Sequence, residues 1–235
     1  MTFDEILGSL EHDVVVRDDG LFAGPAIING RRVDVIGVSH GAFVGVDEAL
    51  WLSARVIETI GGGANTPILV LIDSGSQRMS KRDELLGLNE CLAHLAKSLM
   101  LASQRGHQTV GLLYGHTAAG AFIATALATR VLISLPGAEP EVMDLPSMSR
   151  VTKLSIDMLE DMAKSTAVFA PGLENLVKMG AVDAVLDPTQ PLALQLARWF
   201  DLPPDRLDAR DRLGESHGGR PAAAQIARRV YELAR

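Results

Sequence analysis

Hydrophobic positions along the chain follow two different periods. Val14, Val15 and Val16 read as a short strand, broken by Gly20 and by Gly24-Pro25. Ala26-Ile27-Ile28 then runs into Asn29-Gly30, two residues that tolerate positive φ, and residues 33–38 return with a strand pattern. An antiparallel hairpin is predicted there. The period next becomes helical. Ala49, Leu52, Val56 and Ile60 share one face, Asp47 and Glu48 put negative charge at the start, and Gly61-Gly62-Gly63 stops the helix. Residues 68–72, Ile-Leu-Val-Leu-Ile, are an unbroken apolar run, rich in β-branched residues and too short for a helix. A buried parallel strand is predicted.

The polar segment 73–78 follows, and then a helix over residues 83–104 with Leu85, Leu88, Leu92, Leu95 and Leu99 facing inward. A strand at 110–114, a turn at 115–117, a small-residue helix at 118–128 and a strand at 131–135 come next. This β-α-β-α-β alternation implies a parallel sheet with right-handed crossovers. Helices are predicted at 156–168 and 173–178, a short strand at 184–186, and a helix opened by Pro191 that ends near Phe200. Residues 203–220 are charged and rich in Gly and Pro, as in a loop or linker. Pro221 starts a terminal helix whose Ile226, Val230 and Leu233 need a surface to pack on. The expected organisation is one α/β domain over 1–202, a linker over 203–220 and a C-terminal helix over 221–235.

Composition narrows the function. Of 235 residues, 47% are hydrophobic and only 4% aromatic, so the core is aliphatic. A net charge of −7 argues against a nucleic-acid partner, which would want a basic face. Cys91 is the single cysteine, so no internal disulfide forms and a reducing compartment is expected. No apolar run approaches the ~20 residues of a membrane span. The first residues, with Asp4 and Glu5, do not read as a signal peptide, so a cytoplasmic protein is expected. No histidine or acidic spacing matches a metal site, and Gly61-Gly62-Gly63 follows a helix, unlike a dinucleotide fingerprint.

Candidate chemistry lies at two strand ends: Ile72-Asp73-Ser74-Gly75-Ser76-Gln77 and Tyr114-Gly115-His116-Thr117-Ala118-Ala119-Gly120-Ala121. Ligands of open α/β sheets bind at that edge. Small side chains let a ligand approach the backbone, and the first turn of a following helix offers unpaired N–H groups. Such a pair of bends can cradle an oxygen on which negative charge develops. Small residues after a strand also serve simply to let a helix pack close; two such bends in one βαβ arrangement favour the cradle. Residues 115–119 imitate a G-x-S-x-G elbow with Thr117 in the serine position. His116 is adjacent to Thr117 and would point away instead of serving as its base.

The segment PILVLIDSGSQR (residues 67–78) resembles the first oxyanion loop of the crotonase superfamily, and YGHTAAGAFIATALA (114–128) its second. KMGAVDAVLD (178–187) resembles the helix-Gly-strand run that follows, and the hairpin with residues 29–49 resembles the opening strands of carboxyltransferase domains. Over roughly residues 20–200 the chain is thus similar to a crotonase-like α/β fold, a spiral of ββα units with a parallel sheet and a helical C-terminal part. From Gly115 through EVMDLPSMSRVTKLS (141–155) it resembles the gamma-subunit family of biotin-independent malonate decarboxylase. The resemblance implies a carboxy-lyase subunit acting with a homologous beta subunit of the same fold. The substrate would be a malonyl thioester on an acyl carrier protein, carried by a phosphopantetheine-type arm derived from dephospho-coenzyme A. No cofactor would be bound by this chain. It implies backbone oxyanion donors at Ala119 and Gly120, and substrate walls at Ser74, Gly75, Ser76, Gln77, Gly115, His116 and Thr117. A peptidase of the same fold keeps its serine where this chain has Ala118, and hydratases of the fold need glutamates that the second bend's helix lacks. Two other readings stay open: a subunit of a biotin-dependent acyl-CoA carboxyltransferase, and a non-catalytic scaffold for a beta subunit.

Overall fold

The computed structural model describes residues 1–166, 171–202, 208–219 and 221–234. Its residues group into two units, Met1–Val142 with Val185–Arg206, and Met143–Ala184 with Leu207–Arg235.

The first unit opens with α1 (Phe3–Gly8), which the hydrophobic pattern did not predict. Its signal is a capping box: Thr2 Oγ1 accepts from the Glu5 N–H while Glu5 accepts from the Thr2 N–H. Strands β1 (Glu11–His12) and β2 (Val15–Val16) both pair with β3 (Leu21–Ile28), and β4 (Arg31–Val44) returns antiparallel to β3. Asn29 and Gly30 have φ of 50° and 78°, the positive pair that the hairpin turn requires.

Contrary to expectation, Gly24-Pro25 lies inside a strand. Pro25 pairs with Asp34, whose N–H points the other way, to the Pro67 carbonyl, so no ladder bond to β4 needs a donor on Pro25. A Cβ on Gly24 would lie 2.4 Å from the Asp13 oxygen, which is why only glycine lets the first segment cross there.

After α2 (Val46–Gly61) the parallel part begins: β5 (Ile68–Gln77), then α3 (Lys81–Leu85), α4 (Leu88–Gln104) and β6 (Thr109–Leu113). The predicted helix over 83–104 is therefore two helices. Gly87, at φ 81°, sits in the left-handed region and ends the continuity, leaving Leu85 76% exposed instead of inward; Leu88, Leu92, Leu95 and Leu99 are buried. The short strand β7 (His116–Ala118) occupies the predicted turn, followed by α5 (Ala119–Thr125), β8 (Val131–Ser134) and β9 (Glu139–Glu141). The main sheet runs β1-β3-β4-β5-β6-β8, antiparallel at first and parallel from β4 onward. β7 and β9 form a separate parallel pair. The core is aliphatic: Leu69, Leu71, Ile72, Val110, Leu112 and Ile133 are buried within the sheet.

The second unit holds α6 (Leu145–Thr152), α7 (Ile156–Ser165) and α8 (Leu173–Lys178), and the chain re-enters the first unit through β10 (Ala184–Val185). There the Leu186 N–H donates to the Ser134 carbonyl at 2.8 Å, and α9 (Leu192–Phe200) follows. The predicted end of a helix at Val168 lies outside the described residues. Within the predicted linker 203–220, residues 203–207 and 220 also lie outside them, but α10 (Arg210–Ser216) is a helix. Its close approach explains the missed element: a Cβ on Gly214 would lie 2.4 Å from the Met179 carbonyl oxygen, so the glycine that suggested a loop serves a tight contact. In α11 (Pro221–Leu233), Ile226, Val230 and Leu233 are exposed.

Candidate functional site at the carboxyl ends of the parallel strands

The two segments singled out from the sequence meet. β5 and β6 run in parallel register, Ile72 opposite Leu113, so the residues that follow emerge side by side. The buried hydroxyls of Ser74 and Thr117 share a hydrogen bond of 2.7 Å. Gln77 and Gly120 are joined by another, described below. The first segment is not a loop, however. Residues 73–77 continue β5 and pair with the far part of β4, Ser74 opposite Ala42 and Gln77 opposite Val44, across two register shifts. The polar composition hid a strand whose partner is the unexpectedly long β4, the return strand having been expected only over 33–38.

Asp73 braces the edge. Its Oδ1 accepts from the His116 N–H at 3.2 Å and its Oδ2 from the His40 N–H at 3.1 Å. The carboxylate therefore ties the turn of β4 to the second bend. His40 stands at φ 59°, its ring edge-on to Phe3 at 5.7 Å, and Gly115 is required beside it because a Cβ there would lie 2.2 Å from Asp73 Oδ1. Tyr114 donates to the Val38 carbonyl at 3.3 Å, and burial, followed by the Asp73 charge, pushes its phenol far above the usual tyrosine range. Neither Asp73 nor His40 was among the predicted site residues; the available signal was an aspartate standing directly after a fully apolar strand run. Asp73→Ala should cost about 1–3 kcal/mol through the loss of an acceptor for two backbone donors, measured by urea unfolding of the isolated chain. An unchanged midpoint would contradict the bracing role.

The second bend carries local strain. Ala119, the first residue of α5, has φ 52°, a left-handed conformation that costs an alanine roughly 1–2 kcal/mol. Residues at the start of a helix have no intrahelical acceptor for their N–H groups. The Gly120 N–H, expected to be open, donates to Gln77 Oε1 at 2.7 Å. The donor is thus engaged, by a side chain and not by the backbone. A Cβ on Gly120 would lie 3.1 Å from that same oxygen and from Leu92 Cδ1. Gly75 faces the Phe43 ring and the Gly41 carbonyl, each 3.0 Å from where its Cβ would be, and Ser76 turns its hydroxyl to the Gln77 carbonyl at 3.0 Å.

A salt-linked clamp fixes the end of β5. Arg78 pairs with Glu48 and, at 3.1 Å, with Asp83; those carboxylates also accept the Gly45 and Val46 N–H groups at 2.9 Å each. Asp83 is held down from 3.8 to about 2, first by the Ser80 hydroxyl and then by the Val46 N–H. A carboxyl whose folded value is depressed stabilises the fold above its unfolded value and loses that contribution as pH falls through the folded one. Stability should therefore drop between about pH 4 and pH 2, and Asp83→Asn should flatten that part of an acid-unfolding curve. An identical acid limb in the variant would refute the assignment. Among the described residues no group of three His, Cys, Asp or Glu could hold a metal, and no helix is long and apolar enough to cross a membrane.

A parallel sheet whose carboxyl ends carry two apposed bends, behind an antiparallel hairpin, defines a crotonase-type carboxyltransferase fold, and solved structures share it. A Pseudomonas malonate decarboxylase hetero-tetramer in complex with coenzyme A contains a chain with a TM-score of 0.77 and 23% identity, covering 91% of both chains. A Pseudomonas malonate decarboxylase MdcD-MdcE hetero-dimer matches with a TM-score of 0.75 and 24% identity, over 99% of this chain and 97% of that one. Over 180 residues, 73% of the chain, it is 27% identical to the malonyl-S-ACP:biotin-protein carboxyltransferase of Malonomonas rubra, and it spans 61% of the length of that relative. The family model of the malonate decarboxylase gamma subunit matches residues 39–234. The chain belongs to that family.

Proposed function

We propose that this chain works as the gamma subunit of a cytoplasmic malonate decarboxylase, together with a homologous beta subunit, on a malonyl thioester carried by an acyl carrier protein. The observation that carries the proposal is the Gly120 N–H, which already holds a planar carbonyl oxygen at 2.7 Å. In the reaction, the bond between the methylene carbon and the carboxylate breaks and CO₂ leaves. The electron pair passes into an enolate whose charge rests on the thioester oxygen, and a proton then reaches the carbon to give the acetyl thioester. Preorganised N–H donors at Ala119 and Gly120 stabilise that charge as it appears. Gly75, Ser76, Gln77, Gly115 and His116 form the walls, while Ser74 and Thr117, fully buried and hydrogen-bonded to each other, hold the two bends together instead of facing the substrate. The acyl chain arrives on the phosphopantetheine-type arm of the carrier, and the complex of a Pseudomonas relative with coenzyme A supports that class of ligand. The Pseudomonas hetero-dimer supports a homologous partner subunit.

A second reading is favoured by the Malonomonas relative, whose name is that of a biotin-protein carboxyltransferase. Co-expression with the products of neighbouring genes, followed by assay of CO₂ release from a malonyl thioester with and without avidin, separates the two. Release insensitive to avidin supports the lyase; release abolished by avidin supports the transferase; no association with any homologous subunit overturns both.

A further inference from the structure

Gln77 is placed as no wall residue needs to be. Its backbone is fixed from both sides: it pairs with Val44 in the β4–β5 register, its carbonyl accepts from the Ser76 hydroxyl at 3.0 Å, and the next residue, Arg78, is clamped between Glu48 and Asp83. Its side chain, by contrast, is held among the described residues by one hydrogen bond, from the Gly120 N–H to Oε1 at 2.7 Å. That oxygen belongs to an sp² carbonyl, the same geometry and hydrogen-bonding character as the carbonyl of a thioester. Gly120 makes the contact possible, since a Cβ there would already stand 3.1 Å from Oε1.

We infer that the Gln77 carboxamide is a built-in occupant of the acyl-oxygen position, a gate that an incoming thioester must displace by rotating a side chain on an immobile backbone. The inference rests on the reading of Gly120 as the oxyanion donor. Its consequence is one of sign: a residue that merely lined the site would aid binding, whereas an occupant competes with it. A neutral hydrogen bond of this kind has a net worth corresponding to roughly a tenfold change in an equilibrium constant. A carboxylate in the same place would accept more strongly and would repel an enolate.

In the complex with the homologous subunit, with malonyl-pantetheine as the probe, Gln77→Ala is expected to raise kcat/KM for CO₂ release about tenfold. Gln77→Glu is expected to lower it throughout pH 6 to pH 8, where the introduced carboxyl is ionised. The amide proton resonance of Gly120 in ¹⁵N-labelled chain should move upfield in Gln77→Ala and downfield in Gln77→Glu. A kcat/KM that is unchanged or reduced in Gln77→Ala, while Gly120→Pro abolishes turnover, overturns the gate and leaves the donor. Full turnover in both Gly120→Pro and Gln77→Ala overturns the donor and the gate together. An unmoved Gly120 resonance in both Gln77 variants overturns the gate independently of activity.

Discussion

Gly120→Pro is expected to reduce malonyl-thioester decarboxylation by the assembled complex about 10²–10³-fold, the loss that follows removal of one oxyanion donor. Proline lacks the N–H and is tolerated in the first turn of a helix. Gly120 is the second residue of α5, but Ala119 before it stands at φ 52°, which a following proline disfavours, so the variant loses the donor and also strains the bend. Gly120→Ala provides the contrast. It keeps the N–H and adds only a Cβ, 3.1 Å from a side-chain oxygen that can rotate and from a leucine methyl. Its activity should therefore stay well above that of the proline variant. Equal losses in the two variants would indicate crowding and not a missing donor. Circular dichroism and size-exclusion chromatography of the complex check that the fold and the assembly persist.

The largest expected effect on stability is at Arg78. Its guanidinium is 38% exposed, but the carboxylates it joins are not: Glu48 is 10% and Asp83 2% exposed. Arg78→Met would leave two carboxylates close together, Glu48 without its arginine and Asp83 with the more distant Arg82, 3.7 Å away. Breaking a buried pair by removing one partner costs about 3–5 kcal/mol, and the partial exposure of the arginine places the expectation at the low end, about 3 kcal/mol. For a chain of this size, that corresponds to a melting point lower by roughly 6–12 °C. Adding Glu48→Gln to Arg78→Met should recover part of the loss, because one of the stranded charges is removed. Additive losses in the double variant would show that the arginine acts through packing alone.

The legible parts of the fold were those written in periodic apolar residues. The run at 68–72 became the buried half of β5, the helical face of Ala49, Leu52 and Val56 became the buried face of α2, and Asn29-Gly30 made the hairpin turn. What escaped the sequence depended on partners distant in the chain. Residues 73–77 are polar because they serve a site, yet they extend as a strand because β4 continues alongside them as far as Val44. Gly24 and Gly214 read as breakers, but each is the point where another segment presses within 2.4 Å of an imagined Cβ. Leu85 was assigned inward by spacing, until Gly87 interrupted the helix that the spacing assumed.

The candidate site divides in the same way. Both bends were visible as small residues after buried strands, and the structure brings Ser74 to Thr117 and Gln77 to Gly120. Asp73 is visible in its segment, but its role as the acceptor that joins His40 to His116 depends on the bend of β4 at His40 and Gly41, which the spacing does not reveal. The engagement of Gly120 by Gln77 could not be read at all. Nothing in the spacing of residues 77 and 120 says that the end of β5 and the start of α5 lie within a hydrogen bond of each other.

The most direct measurement is a crystal structure of this chain with its homologous subunit and a malonyl-thioester analogue in which a methylene replaces the sulfur. The predicted result is the acyl oxygen within about 3 Å of the Gly120 nitrogen, with the Gln77 side chain turned away. An analogue bound wholly to the other subunit, with Gln77 Oε1 still on the Gly120 N–H, would contradict it.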